Sequence, residues 1–389
     1  KESMRMALKK LDKELSDDYT EILTPVKLPL DAQAPQLYPE LDRAIEKATK
    51  VIQNHSMKIR GREKNKWIDD NYLLIGMARF YKKEFSDALK TFDYVNRMFR
   101  KEESAVIAKI WATRCHIEMG NYSNARAYLT DLRKNRRLPE KMREHLYTLE
   151  AQVALADGDY QGAYRNMKSA LDYTKKKKRQ VRYMFIMAQI SQEMEEYTRA
   201  SVMYKKLLKK NPPYEMEFYA RINRATSFDV YSGRSGQMKR DLEKMTEEGK
   251  YEDYLDQIYY AIADIYLREE NLRKGREYLT MAAQASGGNT DLKTKIYLRL
   301  ADIYFDDRSY NKAQNYYDST LTVMGKNHPR REEVDFRAKD LKELVTYLQT
   351  IHQTDSVLRI ASLKPEDRNA FIDRLIAQQR REDKAKAEA

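Results

Sequence analysis

The sequence predicts an all-α protein, a solenoid of paired helices with a helical cap at each end. Two observations predict it. A ten-residue phrase recurs: GNYSNARAYL over 120–129 and GDYQGAYRNM over 158–167 share a glycine, a tyrosine two residues on, an alanine three beyond that and an apolar residue four further. Each recurrence also follows a run whose apolar residues return at three and four, as one face of an α-helix requires. With the small residue as a marker, the copies fall at Ala88, Ala125, Ala163, Ala200, Gly275 and Ala313, in steps of 37, 38, 37, 75 and 38. The long step is two periods, and a unit around Met238 keeps the spacing without the wording. A fixed period of roughly 20–50 residues marks a repeat architecture, in which each unit buries its apolar face only against its neighbours.

The elements follow in chain order. Residues 1–60 form an N-terminal cap: an amphipathic helix in KESMRMALKKLDKELSDDY, the proline-bearing linker LTPVKLPLDAQAPQLYP, and a second helix. Residues 61–325 form about seven repeats. In each, a first helix such as NYLLIGMARFY (71–81) or KIYLRLADIYF (295–305) leads through a short polar turn into a second. A small residue at the marker lets the two backbones approach, and the aromatic ahead of it (Phe85, Tyr122, Tyr160, Tyr197, Tyr310) fills the space beside the turn. Tyr72, Ile75, Gly76, Phe85, Ala88, Phe92 and Val95 match the tetratricopeptide pattern position by position, and Pro212 stands where that pattern ends a helix. The repeats therefore resemble tetratricopeptide units, which implies a right-handed solenoid; a period above the usual ~34 residues implies slightly longer helices or turns. Residues 326–389 form a C-terminal cap, with Pro365 opening its last helix and a charged KAKAEA end.

Composition narrows the class. Twenty-nine tyrosines stand against 10 phenylalanines, which suits half-buried helices whose rings pack while their hydroxyls stay polar. No apolar run approaches the ~18–20 residues of a membrane-spanning helix, and the opening helix carries acids as well as bases, unlike a signal peptide. A chain that opens in mid-helix without methionine reads as a processed, truncated or partly ordered product whose address lies upstream. The single cysteine, Cys115, excludes an internal disulfide and, in IWATRCHIEMG, reads as a buried structural thiol.

The charge is concentrated. Residues 61–213 hold 32 Lys and Arg against 19 Asp and Glu, and the remainder is balanced, so the whole net charge of +13 sits in the first four clear repeats. Much of it recurs after the second helix, notably at Arg133, Lys134, Arg136 and Arg137 and at Lys175, Lys176, Lys177, Lys178 and Arg179. Stacked repeats line these turns along one edge. That edge reads either as a solvated rim or as a surface that steers an acidic partner or anionic headgroups.

Motifs for chemistry are missing. The five histidines are scattered, with no HExxH and no metal-ligand spacing with cysteine, and neither GxxxxGK[ST] nor GxGxxG occurs. SGRSGQ (232–237) reads as a turn of the degenerate repeat, and Asp69–Asp70 and Asp306–Asp307 as helix-end carboxylates. The expectation is no enzyme, no cofactor and no metal. Solenoids bind through the concave face lined by their first helices. There the shared ADIY phrase places Tyr260, Asp264, Leu298, Asp302, Phe305 and Asp306 towards a groove. Aspartates in place of the Lys and Asn that clamp a carboxylate in some tetratricopeptide domains favour a basic or helical ligand. The other reading keeps Asp264 and Asp302 as hydrogen-bonding groups between helices.

The flanks are more specific than the repeats. YPELDRAIEKATKVIQNHSM (38–57), WIDDNYLLIG (67–76) and LQTIHQTDSVLRIASLKPEDRNAFIDRLI (348–376) resemble the PorW/SprE family, periplasmic tetratricopeptide lipoproteins of the Bacteroidetes type IX secretion system. The resemblance implies an adaptor on the inner face of the outer membrane, joining the outer-membrane translocon (SprA/Sov) to the motor-linked PorK/PorN ring, with a role in gliding motility in some relatives. The family's lipid-bearing cysteine would lie upstream of Lys1. Two rivals remain: a generic tetratricopeptide adaptor or chaperone cofactor, and a basic helical-repeat RNA binder. The second needs basic and polar groups repeated along the concave face, whereas here the bases cluster on turns, so nucleic acid is not expected.

Overall fold

A computed structural model describes residues 1–60, 62–135, 138–227 and 235–388, and its contacts divide the chain into two compact units, Lys1–Met238 and Lys239–Ala389. In the first unit, α1 (Glu2–Glu14) and α2 (Tyr38–His55) form the cap, followed by a short antiparallel hairpin of Lys58–Ile59 with Arg62–Glu63. Four helix pairs come next: α3 (Ile68–Tyr81) with α4 (Phe85–Met98), α5 (Glu103–Glu118) with α6 (Tyr122–Lys134), α7 (Glu140–Ala156) with α8 (Tyr160–Tyr173), and α9 (Lys177–Glu193) with α10 (Tyr197–Leu208). The degenerate repeat comprises α11 (Tyr214–Thr226) and α12 (Ser235–Glu247), and the boundary between the units falls inside α12 at Met238. The second unit holds α13 (Leu255–Arg268) with α14 (Leu272–Ala285), α15 (Thr290–Asp306) with α16 (Tyr310–Val323), then α17 (Arg331–Ala361) and α18 (Pro365–Glu388). The fold is an all-α, tetratricopeptide-like repeat.

The recurring phrase encodes a helix-ending turn. Lys83, Gly120, Gly158, Glu195, Glu270 and Arg308 all have positive φ, between 56° and 74°, five residues before each marker. In each turn that residue's N–H donates to the carbonyl three residues back, and the next N–H to the carbonyl five back, as in Gly158→Leu155 (3.0 Å) and Asp159→Ala154 (2.9 Å). This is the paired bonding of a left-handed helix terminus. The same second residue then accepts the first bond of the following helix, Ala163 to Asp159 at 2.9 Å. One turn therefore ends one helix and starts the next. Glycine adopts this φ without strain, whereas a side chain costs roughly 1 kcal/mol there. A Cβ on Gly158 would meet nothing within 4 Å, so only backbone conformation is at stake. Gly158→Ala is therefore expected to lower stability by about 1 kcal/mol and the exposed Glu195→Gly to raise it by a few tenths to 1 kcal/mol; urea denaturation of both variants checks this.

The markers are packed as their size requires. Ala88, Ala125, Ala163, Ala200 and Ala313 have no exposed surface, and a Cβ on the buried Gly275 would lie 2.4 Å from Leu267 Cδ2. The aromatics Phe85, Tyr122, Tyr160, Tyr197 and Tyr310 each open a second helix. The tyrosine excess acquires a cause as well. Four residues after their markers, Tyr204 and Tyr317 are fully buried and donate to Gln192 (2.5 Å) and Asp302 (2.6 Å) of the preceding helix. Three residues after theirs, Tyr128 and Tyr278 donate to Asp93 (2.7 Å) and Glu243 (3.1 Å) of the preceding repeat. Rings fill the core while hydroxyls tie helices together, as buried tyrosines require.

Cys115 is buried within the first unit's core, and burial pushes its thiol up to about 12, so it is an inert structural group. In the second unit Val334, Ala338, Leu341 and Val345 pin the start of α17, whereas Tyr347, Ile351 and Leu358 farther along are more than half exposed. No helix among the described residues is long and apolar enough to cross a membrane.

Candidate functional site: the inner face of the first unit

The first helices of the N-terminal unit share one face. Residues from α3 (Met77, Tyr81), α5 (Trp111, Arg114), α7 (Met142, His145), α9 and α11 all line a single cavity of about 700 Å³. On α9 the stripe Arg182, Phe185 and Gln189 repeats at three and four, one face of a helix. This stripe is not open. The segment after α1 leaves the N-terminal cap and lies on it.

The contacts are those of a peptide in a groove. The Arg182 guanidinium holds both Asp17 carboxylate oxygens at 2.9 Å and donates through Nε to the Thr24 carbonyl at 2.6 Å. Both side chains of this pair are about nine-tenths buried, and Lys27 adds a second cation 3.7 Å from Asp17. The Gln189 side chain reads main chain alone: its Nε2 donates to the Glu21 carbonyl at 2.6 Å and its Oε1 accepts from the Leu23 N–H at 2.9 Å. The Tyr19 ring stacks on Tyr219 at 4.5 Å and meets the Phe185 edge at 5.4 Å. Tyr19 and Leu23 thereby join the core formed by α7 to α11. Ser16 donates to Glu215 at 2.8 Å, and Lys178 pairs with Asp12 at 2.6 Å. Bidentate charge pairing, a main-chain amide clamp and an aromatic anchor together hold this non-helical segment in place.

Behind the segment the cavity wall is cationic. Arg179 pairs with the buried Glu144 at 2.9 Å, which also accepts from Tyr183 at 2.8 Å. Arg114 is buried and donates to His145 Nδ1 at 3.2 Å. An arginine has no acceptor, so the neutral imidazole accepts at Nδ1 and carries its proton on Nε2. Burial first, then Arg114, Arg179 and Lys176, hold His145 down to about 3.

The sequence-derived basic edge divides in two. Lys134, Lys175, Lys176 and Lys177 are exposed, and Arg133, also exposed, pairs with Glu150 at 2.9 Å. Arg179 turns to the buried Glu144, whereas Lys178 stays exposed and pairs with Asp12; both also line the cavity. Arg136 and Arg137, like residues 232–234 of SGRSGQ, lie outside the described residues.

The expected groove of the second unit is partly filled. Leu298 is 8 % exposed and packs with Tyr317, Val334 and Leu341, so it is a core residue and offers no groove surface. Asp302 accepts from Tyr317 at 2.6 Å and faces Arg337 of α17 at 3.4 Å, the structural reading of that aspartate. Asp264 pairs with Arg268 at 2.7 Å, one turn along its own helix. Tyr260 is half-buried, Phe305 is 39 % exposed against the edge of Tyr310, and Asp306 is exposed. Of the helix-end carboxylates, Asp307 pairs with Arg276 at 2.7 Å. Among the described residues no three His, Cys, Asp or Glu converge to hold a metal ion.

The paired helices and their shared turns give the chain a tetratricopeptide-like fold. No protein-family model matches it, and no curated protein does. Among solved structures, a tetratricopeptide repeat protein from Parabacteroides merdae is 12 % identical at a TM-score of 0.37, covering 88 % of this chain and 98 % of that one. The C-terminal part of a repeat protein from Cytophaga hutchinsonii is 13 % identical at 0.40, over 78 % and 98 %. The apo quorum sensor NprR from B. thuringiensis is 12 % identical at 0.45, over 78 % and 84 %.

Proposed function

We propose that this chain is a non-enzymatic adaptor that holds extended segments of other proteins on its repeat faces. One observation carries the reading: the inner face of α9 and α11 seats residues 16–24 through a main-chain clamp, a bidentate ion pair and a buried aromatic ring. A surface with that chemistry fits a non-helical acidic and aromatic segment. The seated segment then acts as a resident ligand that a partner segment replaces or extends.

The sequence resemblance to PorW/SprE supports a more particular role. In that reading the chain is a periplasmic adaptor of the type IX secretion system, attached to the outer membrane through an upstream lipid anchor. It bridges the SprA/Sov translocon and the PorK/PorN ring. The exposed bases of the edge, Lys134 and Lys175 to Lys177, steer one partner, and Tyr260, Asp264, Phe305 and Asp306 of the second unit contact another. Tagged full-length protein isolated from envelope membranes is expected to bring down both translocon and ring components. Reversing Lys175, Lys176 and Lys177 to Glu is expected to weaken one of the two associations and flatten its salt dependence. Recovery of neither component contradicts the secretion role, and an unchanged salt response returns the edge to a solvated rim.

A further inference from the structure

Arg114 is a feature of the inner face that the seated segment does not explain. It lines the cavity from α5 and is only 4 % exposed. Its guanidinium lies 4.6 Å from the Trp111 ring centroid, its Nη2 donates to His145, and its Nε has no hydrogen-bond partner. No hydrogen bond among the described residues reaches Nη1, and no carboxylate lies within ion-pair distance. Its neighbours differ: Arg179 has Glu144, Arg182 has Asp17 and Lys178 has Asp12. A guanidinium removed from water without a counter-charge is expensive to keep. Burial indeed works against its charged form, lowering its affinity for the proton.

The surroundings specify the missing counter-charge. The cavity's volume of about 700 Å³ lies in the range of small-molecule sites. Beside Arg114 its wall is apolar, formed by Trp111, Ile107, Ile110, Met77 and Met142. The donor on His145 Nε2 adds a second hydrogen bond for an acceptor. A phosphate calls for several uncommitted cations, whereas Lys27, Lys178, Arg179 and Arg182 of this wall are paired with acids and Lys13 is exposed to solvent, so the buried guanidinium and the neutral imidazole suit a single carboxylate. We propose that this cavity binds a small organic carboxylate, with its anionic end on Arg114 and its apolar body against Trp111, Ile107 and Met142. Asp17, Tyr19 and Arg182 also line this cavity, but among the described residues no hydrogen bond or ion pair joins them to Arg114, so the assignment stands whether or not the adaptor reading does.

Calorimetric titration of the full chain tests this with four probes: 4-phenylbutyrate, 4-phenylbutyramide, inorganic phosphate, and the peptide acetyl-Ala-Leu-Phe with a free carboxylate. The expected result is binding of phenylbutyrate, with the amide at least tenfold weaker and phosphate weaker still. Arg114→Met is expected to reduce phenylbutyrate affinity at least tenfold with unchanged circular dichroism, and Arg114→Lys to restore part of it. In a Trp67→Phe chain that keeps Arg114, phenylbutyrate should shift the fluorescence of Trp111 and the amide should not, a readout that does not depend on the Arg114 variants folding. Equal affinity for acid and amide, affinity indifferent to Arg114→Met, or preference for phosphate would overturn the assignment. Binding of the peptide without phenylbutyrate would overturn the small-molecule ligand.

Discussion

Replacing Asp17 by Asn is expected to cost about 3–5 kcal/mol of stability, since it strips the counter-charge from a guanidinium that stays buried. Asp17 and Arg182 are joined by two bonds of 2.9 Å, and their side chains keep only 9 % and 11 % of their exposure. An asparagine retains one acceptor and no charge, so Arg182 is left desolvated without a counter-charge, and Lys27 loses its ion-pair partner as well. The comparison that isolates this cause is the double variant Asp17→Leu with Arg182→Met, which removes both charges and is expected to recover most of the loss. The Thr24 carbonyl then loses its donor, so recovery stops about 1 kcal/mol short of the parent. Denaturant unfolding of the two variants measures both quantities. An exposed ion pair at the same positions would show a loss under about 1 kcal/mol.

The second large effect is a pH dependence centred on His145. Its folded-state affinity for the proton is held down to about 3 by burial and by Arg114, Arg179 and Lys176, against about 6.5 in the unfolded chain. Between those values the unfolded state binds a proton that the folded state refuses. Stability from this residue is therefore fully present above about pH 6.5 and is lost as pH falls towards 3, at about 1.4 kcal/mol for each pH unit. The ring accepts a hydrogen bond from Arg114 at 3.2 Å, so protonation would also set two cations against each other. His145→Asn keeps an acceptor near Arg114 and removes the titrating group. Other carboxylates titrate over the same range in both proteins, so the difference between the two stability curves carries the result. That difference is expected to shrink steadily from pH 6.5 to pH 4; parallel curves would mean an imidazole that protonates freely in the fold.

The two levels of structure were not equally legible. Period and phrase located every helix-ending turn among the described repeats, because each turn is local: a positive-φ residue, a small marker and an aromatic within six positions. The tyrosine excess was legible as a half-buried chemistry, although which hydroxyl meets which carboxylate depends on stacking between repeats. One expected groove residue is covered. Leu298 matches groove spacing as well as any residue does, yet the start of α17 covers it, and a helical period states which face is apolar without stating what covers it. The clamp on residues 16–24 was invisible for a different reason. Its partners lie 158 to 199 positions apart, and SDDYTE reads equally as a solvated helix end. The one faint signal was complementarity: an acidic, aromatic segment in a chain whose first repeats hold all the net positive charge. Arg179 follows a second helix and so fits the basic edge by position, while its side chain, in the opening turn of α9, pairs with the buried Glu144.

The central claim is that the inner face of the first unit grips polypeptide main chain, and hydrogen exchange at the Leu23 amide measures it directly. That N–H donates to the Gln189 side chain at 2.9 Å and lies outside any helix, so no secondary structure protects it. In the parent chain it is expected to exchange at least a hundredfold more slowly than an open amide, and Gln189→Ala is expected to release it while the amides of α9 stay protected. Exchange of Leu23 at the rate of an open chain in the parent protein would contradict the account.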